Sequence, residues 1–165
     1  MSITNLEELF VHELNEILDA ERQLLESLPK MARAATSEDL KAAFKEHKSV
    51  SEKQIGRLET IFERLDKAPG GKKCVGMQGL VEEGSALIKE EEPGAPLDAA
   101  LICAAQKVEH YEMASYGSLA AYARLLGMED AVELLETTLY EEIATDARLS
   151  SIAAELNIAA EVAAE

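Results

Sequence analysis

The sequence predicts an all-α protein, a ferritin-like antiparallel four-helix bundle built from two helical hairpins. Three observations carry this. Aromatic residues make up only 4% of the 165-residue chain, Ala and Leu abound, and no alternating β-branched run marks a strand. The apolar residues recur at helical spacing over four long segments. The breaks between segments are short, long and short in turn, which gives two hairpins and one crossover.

Thr4 or Asn5, followed by Glu7 and Glu8, reads as an N-cap with acids in the first turn. It opens a helix over 4–28, with Pro29 just beyond its end. Thr36 or Ser37, then Glu38 and Asp39, opens a second helix over 37–66, which "KAPGGKK" stops. The crossover, 67–96, contains a short helical segment over 77–90 and closes on "PGAP" at 93–96. Pro96 suits the first turn of a third helix over 97–126, and Gly127 ends it. A fourth helix runs over 129–156, before an Ala/Glu tail that is expected to fray. Each long helix spans about 37 to 45 Å at about 1.5 Å per residue, and a link of this length crosses the bundle from end to end. The whole of 1–165 reads as a single domain, large enough to fold without a disulfide or structural metal.

Composition removes several function classes. With 16 basic against 32 acidic residues the net charge is −16, which repels nucleic acid and anionic membranes. No stretch is long and apolar enough for a membrane span, and the start has no signal-peptide pattern, so a cytoplasmic location is expected. Cys74 and Cys103 fit no zinc spacing and read as free thiols. No nucleophile–base pattern or phosphate-binding glycine loop is present, which disfavours a hydrolase or nucleotide enzyme.

Polar residues inside the apolar stripes locate the chemistry. On the first helix, Glu21 falls in the middle of the face carrying Phe10, Leu14, Ile17, Leu24 and Leu28, while His12 lies opposite. On the second, His47, Ser51 and Gln54 sit among Leu40, Phe44, Leu58 and Ile61. The third carries Glu109, Glu112 and Tyr116 beside Ile102, Ala105, Met113 and Leu119, with His110 a quarter-turn away on the flank. On the fourth, Glu142 and Asp146 interrupt Leu135, Leu139 and Leu149. One buried carboxylate is commonly a local exception, but five are costly unless paired or bound to a cation. Their heights also agree. Glu21 and His47 lie symmetrically about position 34, in the first turn, while Glu112 and Glu142 lie symmetrically about 127, as nearly do Glu109 and Asp146. No Lys or Arg occupies a matching stripe position, so the readings are a metal site and a proton-sharing structural network, of which the metal site is preferred.

Five carboxylates and one imidazole make a hard, oxygen-rich donor set that suits iron or manganese, with room for two divalent ions. Glu21, His47, Glu109, Glu112, Glu142 and Asp146 are the candidate ligands, and Gln54 and Tyr116 the groups that orient them.

The segments "AERQL" (20–24), "QIGRLE" (54–59), "KCVGMQGLVEE" (73–83), "AAQKVEHYEMASYGSL" (104–119) and "LLETTLYEEIATDARL" (134–149) together resemble the YciE/YciF family of ferritin-like bacterial stress-response proteins. The resemblance spans about Ile3 to Leu156 and implies a four-helix bundle, a homodimer, a distant relation to di-iron proteins and a part in stress responses. The preferred reading of the ligand set is a di-iron or manganese carboxylate protein that oxidises iron or handles peroxide, with O2 or H2O2 as substrate. The alternative is a non-catalytic structural or metal-binding bundle that acts through its surface. The chain departs from the family after His47: it reads Lys48, Ser49 and Val50 where family members often carry acidic residues.

Overall fold

The computed structural model describes residues 3–162, which form five helices and no strand. The helices are α1 (Leu6–Ala34), α2 (Glu38–Arg64), α3 (Val75–Glu90), α4 (Ala95–Leu125) and α5 (Glu129–Val162).

Local chemistry sets most boundaries. Asn5 caps α1 by accepting the Glu8 amide at 2.8 Å, and Glu8 reaches back to the Thr4 amide and hydroxyl, both at 2.8 Å. Those bonds to Thr4 hold the Glu8 carboxyl below its usual range. Ser37 caps α2. At the α4–α5 turn, Gly127 takes a φ of 71°, and the Met128 amide reaches the Ala123 carbonyl at 2.9 Å, a left-handed helix stop that suits glycine. Asp66, not a glycine of the following "GG", makes the equivalent stop after α2, with a φ of 51°.

Two boundaries correct the sequence reading. Pro29 does not lie beyond the first helix: α1 runs through it to Ala34. A proline inside a helix forfeits one hydrogen bond and costs about 3 kcal/mol. Leu28, Met31, Ala32 and Ala35 are all buried around it, and burying a large apolar side chain returns about 1.5–3 kcal/mol each. Tertiary burial wins. The fourth helix does not end at Leu156 either, because the Ala- and Glu-rich residues that follow remain helical to Val162.

Each helix of the bundle is antiparallel to its neighbours. The α1–α2 and α4–α5 hairpins pack with α1 against α4 and α2 against α5. Arg64 at the end of α2 pairs with Asp130 at the start of α5 at 3.0 Å, which fixes one end. At the other end Asp98, 1% exposed near the start of α4, accepts from the Thr36 amide (2.7 Å), the Thr36 hydroxyl (2.6 Å) and the Ser37 amide (2.8 Å). One buried carboxylate thus ties the α1–α2 turn to the second hairpin.

The crossover returns the chain along α1. Lys67 pairs with Glu7, the Gly70 amide bonds Asn15, Lys72 pairs with Glu16, and the Cys74 amide donates to Asp19 at 2.7 Å. Seven residues of extended strap therefore keep pace with some twelve residues of helix, as the two rises per residue require. From Val75 the chain becomes α3, which packs on α1 and α4 and covers their seam. Cys74 is wholly buried at its N-cap, its Sγ accepting from the Met77 amide and lying 3.0 Å from the Tyr111 hydroxyl. The Tyr111 ring packs so closely on Gly76 that a Cβ there would sit 2.9 Å from it. Met77 belongs to the core, whereas Met113, placed by the sequence on the inner stripe, is only partly buried and lies outside it.

Candidate metal centre

Near mid-length of the bundle, the apolar core gives way to polar side chains. Glu21, Glu109, Glu112 and Glu142 are each 0% exposed, His47 is 4% exposed, and Ser51, Gln54 and Tyr116 are buried with them. Helical periodicity puts them there: each lies on the stripe that its helix turns to the core.

His47, Glu109, Glu112 and Glu142 form the tightest group, each offering a ligand atom within 4.8 Å of the others. The His47 Nδ1 lies 3.2 Å from Glu109 Oε1, and its Nε2 lies 3.9 Å from Glu142 Oε2. Four ligand atoms gathered this closely could close on one divalent cation. Glu21 stands beside this group and accepts from the Tyr116 hydroxyl.

Six carboxylate oxygens in the cluster, on Glu21, Glu109, Glu112 and Glu142, have no hydrogen-bond partner, and neither does His47 Nε2. All the unpartnered buried side-chain atoms among the described residues belong to this cluster, counting Ser51 Oγ and Gln54 Oε1. Buried acceptors without donors are costly, and a divalent cation is the partner that would satisfy several at once. The donors are oxygen-rich with one imidazole and no thiolate, so the residues present fit a hard or borderline divalent ion.

The electrostatics agree. Burial raises the Glu21 carboxyl from 4.5 to about 8, helped by the charge of Glu142, and burial raises Glu142 to about 7. Burial first and Glu142 second push Glu109 well above the carboxylate range, and burial followed by Glu21 does so for Glu112. Burial lowers His47 from 6.5 to about 4 and also raises the Tyr116 phenol. Without a cation, then, the carboxyls hold protons near neutrality and His47 is uncharged. Binding a metal would expel those protons.

Gln54 bonds Glu142 through its amide nitrogen and also reaches Glu141 at 3.2 Å. Arg57 grips Glu141 with two bonds, of 2.6 and 2.7 Å, and bonds the Thr138 hydroxyl at 3.1 Å. Gln54 and Tyr116 thus both hold cluster carboxylates. Asp146 does not join the tight group. Its side chain is 22% exposed, and its Oδ1 accepts from Gln106 at 3.0 Å and stands 3.5 Å from His110 Nε2. It lies one turn beyond Glu142, where α5 turns toward the rim. His110 itself is 67% exposed, on the flank. Sequence reasoning missed Arg57 and Glu141. The spacing of Gln54 and Arg57 at i, i+3, facing adjacent acids at 141 and 142, is the signal that marks them.

His12, Glu13 and Glu16 make a second, partly exposed group of possible ligands. Lys72 already fills it, bonding His12 and, at 2.9 Å, Glu16.

Fold and site together define a class: antiparallel helical bundles with a histidine–carboxylate cluster buried between the two hairpins. The chain belongs to the family described as "Domain of unknown function (DUF892)", whose model matches residues 5–163. Protein YciF of Escherichia coli (strain K12) is 44% identical over 154 residues, covering 93% of each chain. The crystal structure of the E. coli stress protein YciF superposes with a TM-score of 0.91 at 43% identity, covering 93% of this chain and 98% of that one. YcfI from Rhodopseudomonas palustris gives 0.87 at 40% identity, covering 90% and 95%. A protein from Xanthomonas campestris pv. campestris shares the fold at 22% identity, with a TM-score of 0.77 over 94% and 95% of the two chains. The resemblance drawn from the sequence motifs is borne out. Among the described residues no helix is long and apolar enough to cross a membrane.

Proposed function

We propose that this protein is a ferritin-like carboxylate metalloprotein that binds iron or manganese between its hairpins and uses it to oxidise ferrous iron or consume peroxide under stress. The observation that carries the reading is the set of seven unpartnered ligand atoms buried at one height of the bundle. His47, Glu109, Glu112 and Glu142 would hold the first ion, and Glu21, with its free Oε2, would extend the site toward a second. The helical topology, with every neighbour antiparallel and a long crossover, matches that of di-iron carboxylate bundles. The relative called a stress protein supports the physiological setting.

Iron held by His47, Glu109, Glu112 and Glu142 would supply the electrons that reduce peroxide to water. The residues set the conditions for that chemistry. The buried carboxylates exchange protons for metal, Gln54 and Tyr116 orient Glu142 and Glu21, and Arg57 grips Glu141 at the edge. The same reading takes the protein to work as a cytoplasmic homodimer, for which Tyr140 and Ile143 offer exposed apolar surface on α5.

The test is anaerobic loading with Fe²⁺ or Mn²⁺, metal quantification after desalting, and then addition of O2 or H2O2 with absorbance followed in time. At least one tightly held ion per chain is expected, with oxidation above the protein-free rate, and Glu142→Gln should lose the ion while remaining helical. Less than one ion per chain and no oxidation above background would overturn the proposal.

A further inference from the structure

We infer that the groove between α2 and α5 is the entry route by which a small uncharged oxidant, hydrogen peroxide or dioxygen, reaches the cluster. The inference rests on the reading of the cluster as a metal centre and names how its substrate arrives. The groove encloses about 230 Å³, and His47 is its one contact with the cluster. That imidazole is 4% exposed, and its Nε2 has no partner. The opposite seam of the bundle, between α1 and α4, lies under α3, and the cavity left there is only about 10 Å³. One side of the bundle is therefore shut, and the other carries a groove lined by a cluster residue, the nearly buried His47.

The lining selects the occupant. The walls are apolar and mostly small: Ala43, Phe44, Val50 and Ala144, with Leu149 beyond them. Both carboxylates that border the groove are neutralised. Glu46 pairs with Arg148 across the two helices, and Glu141 is held by both nitrogens of Arg57. A cation thus meets no free negative charge at the mouth and would shed its water against apolar walls, which is costly. An uncharged molecule meets neither barrier. The volume also lies below the roughly 300–1,000 Å³ of pockets built for larger organic ligands. Val50 and Ala144 face the groove from opposite helices, so a large side chain at either position would fill it.

Ala144→Phe and, from the other wall, Val50→Phe test this, each checked for helicity by circular dichroism. In the metal-free protein, carbethoxylation by diethyl pyrocarbonate, read by peptide mass spectrometry, reports access to His47 independently of any metal. The wild type should be modified at His47, both variants should slow that reaction at least tenfold, and His12 and His110 should react as before. In iron-loaded protein the variants should keep their iron content and lose at least tenfold in oxidation rate, measured separately with H2O2 and with O2 to identify which oxidant uses the route. A wild-type His47 that resists the reagent would overturn the inference, as would variants that shield His47 yet oxidise iron at the wild-type rate with both oxidants. Loss of iron uptake in the variants would also overturn it, by making the groove a cation path. A wild type that binds no metal would sink the proposed function alone, since the labelling result reports the groove separately.

Discussion

With no cation in the cluster, raising the pH sets its buried carboxyls against the fold. Glu21 titrates near 8 and Glu142 near 7 in the folded chain, against 4.5 when exposed. The folded state therefore holds protons that the unfolded state has released. Stability from these groups is fully present below about 4.5 and is lost as pH rises through about 7 to 8. Each unit of pH inside that window withdraws about 1.4 kcal/mol per group, so the pair removes several kcal/mol between about pH 5 and 8. That is a large share of the roughly 5–15 kcal/mol that holds a typical domain together. Glu109 and Glu112 act in the same direction. His47 opposes them: lowered from 6.5 to about 4, it contributes stability that is present above 6.5 and lost as pH falls through about 4. One imidazole does not offset four carboxyls. Urea unfolding of chelator-treated protein, followed by circular dichroism, should give a midpoint that falls steadily from about pH 5 to pH 8. Saturating Mn²⁺ should reverse the trend by binding the ionised carboxylates, adding about 2.7 kcal/mol at a hundredfold excess over its Kd. Glu112→Gln should flatten the slope and raise the metal-free midpoint at pH 8. A metal-free midpoint that climbs with pH, or a Glu112→Gln slope equal to the wild type's, would refute the reasoning.

Other consequences are structural. Asp98→Ala removes the acceptor of three bonds and strands two backbone amides at the α1–α2 turn, so the urea midpoint should fall by an amount equivalent to about 3–5 kcal/mol. Asp98→Asn, which keeps the shape but loses the charge, should recover part of it. Gly127→Ala forces a side chain into a φ of 71° and should cost about 1 kcal/mol in the same assay, without changing metal content. Tyr116→Phe removes the donor to Glu21, leaving a buried oxygen without its bond; metal-free stability should fall by about 1–3 kcal/mol.

How much of this was legible depended on whether a residue's role is local. The four long helices, their hairpin pairing and the short helix in the crossover follow from period, caps and link lengths, all local signals. The inward placement of Glu21, His47, Glu109, Glu112 and Glu142 followed because straight helices carry facing with little error over a few turns. Asp146 shows where that fails: one more turn along α5 brings it to the rim, within reach of Gln106 and His110, and facing alone does not register a neighbour's edge. Pro29 looked like a stop because its missing amide is visible in sequence, while the burial of Met31 and Ala35 that overrides it is not. Asp98 and Arg57 were silent for the same reason, their partners lying 62 and 84 residues away at the closest contacts.

The placement of the cluster near mid-length of four helices, each antiparallel to its neighbours, has an electrostatic consequence. Helix macrodipoles act within about the first or last turn, and here every neighbour runs the opposite way, so their fields at the centre largely cancel. The backbone supplies no bias toward either sign of charge, unlike the anion cradle at a helix N-terminus. Charge discrimination at this site is thus written wholly in side chains. Exchanging one carboxylate for an amide changes the charge offered to an ion by one unit, leaving the scaffold's own contribution the same. A bundle of this kind can be retuned from one cation to another, or to none, without redesigning its fold.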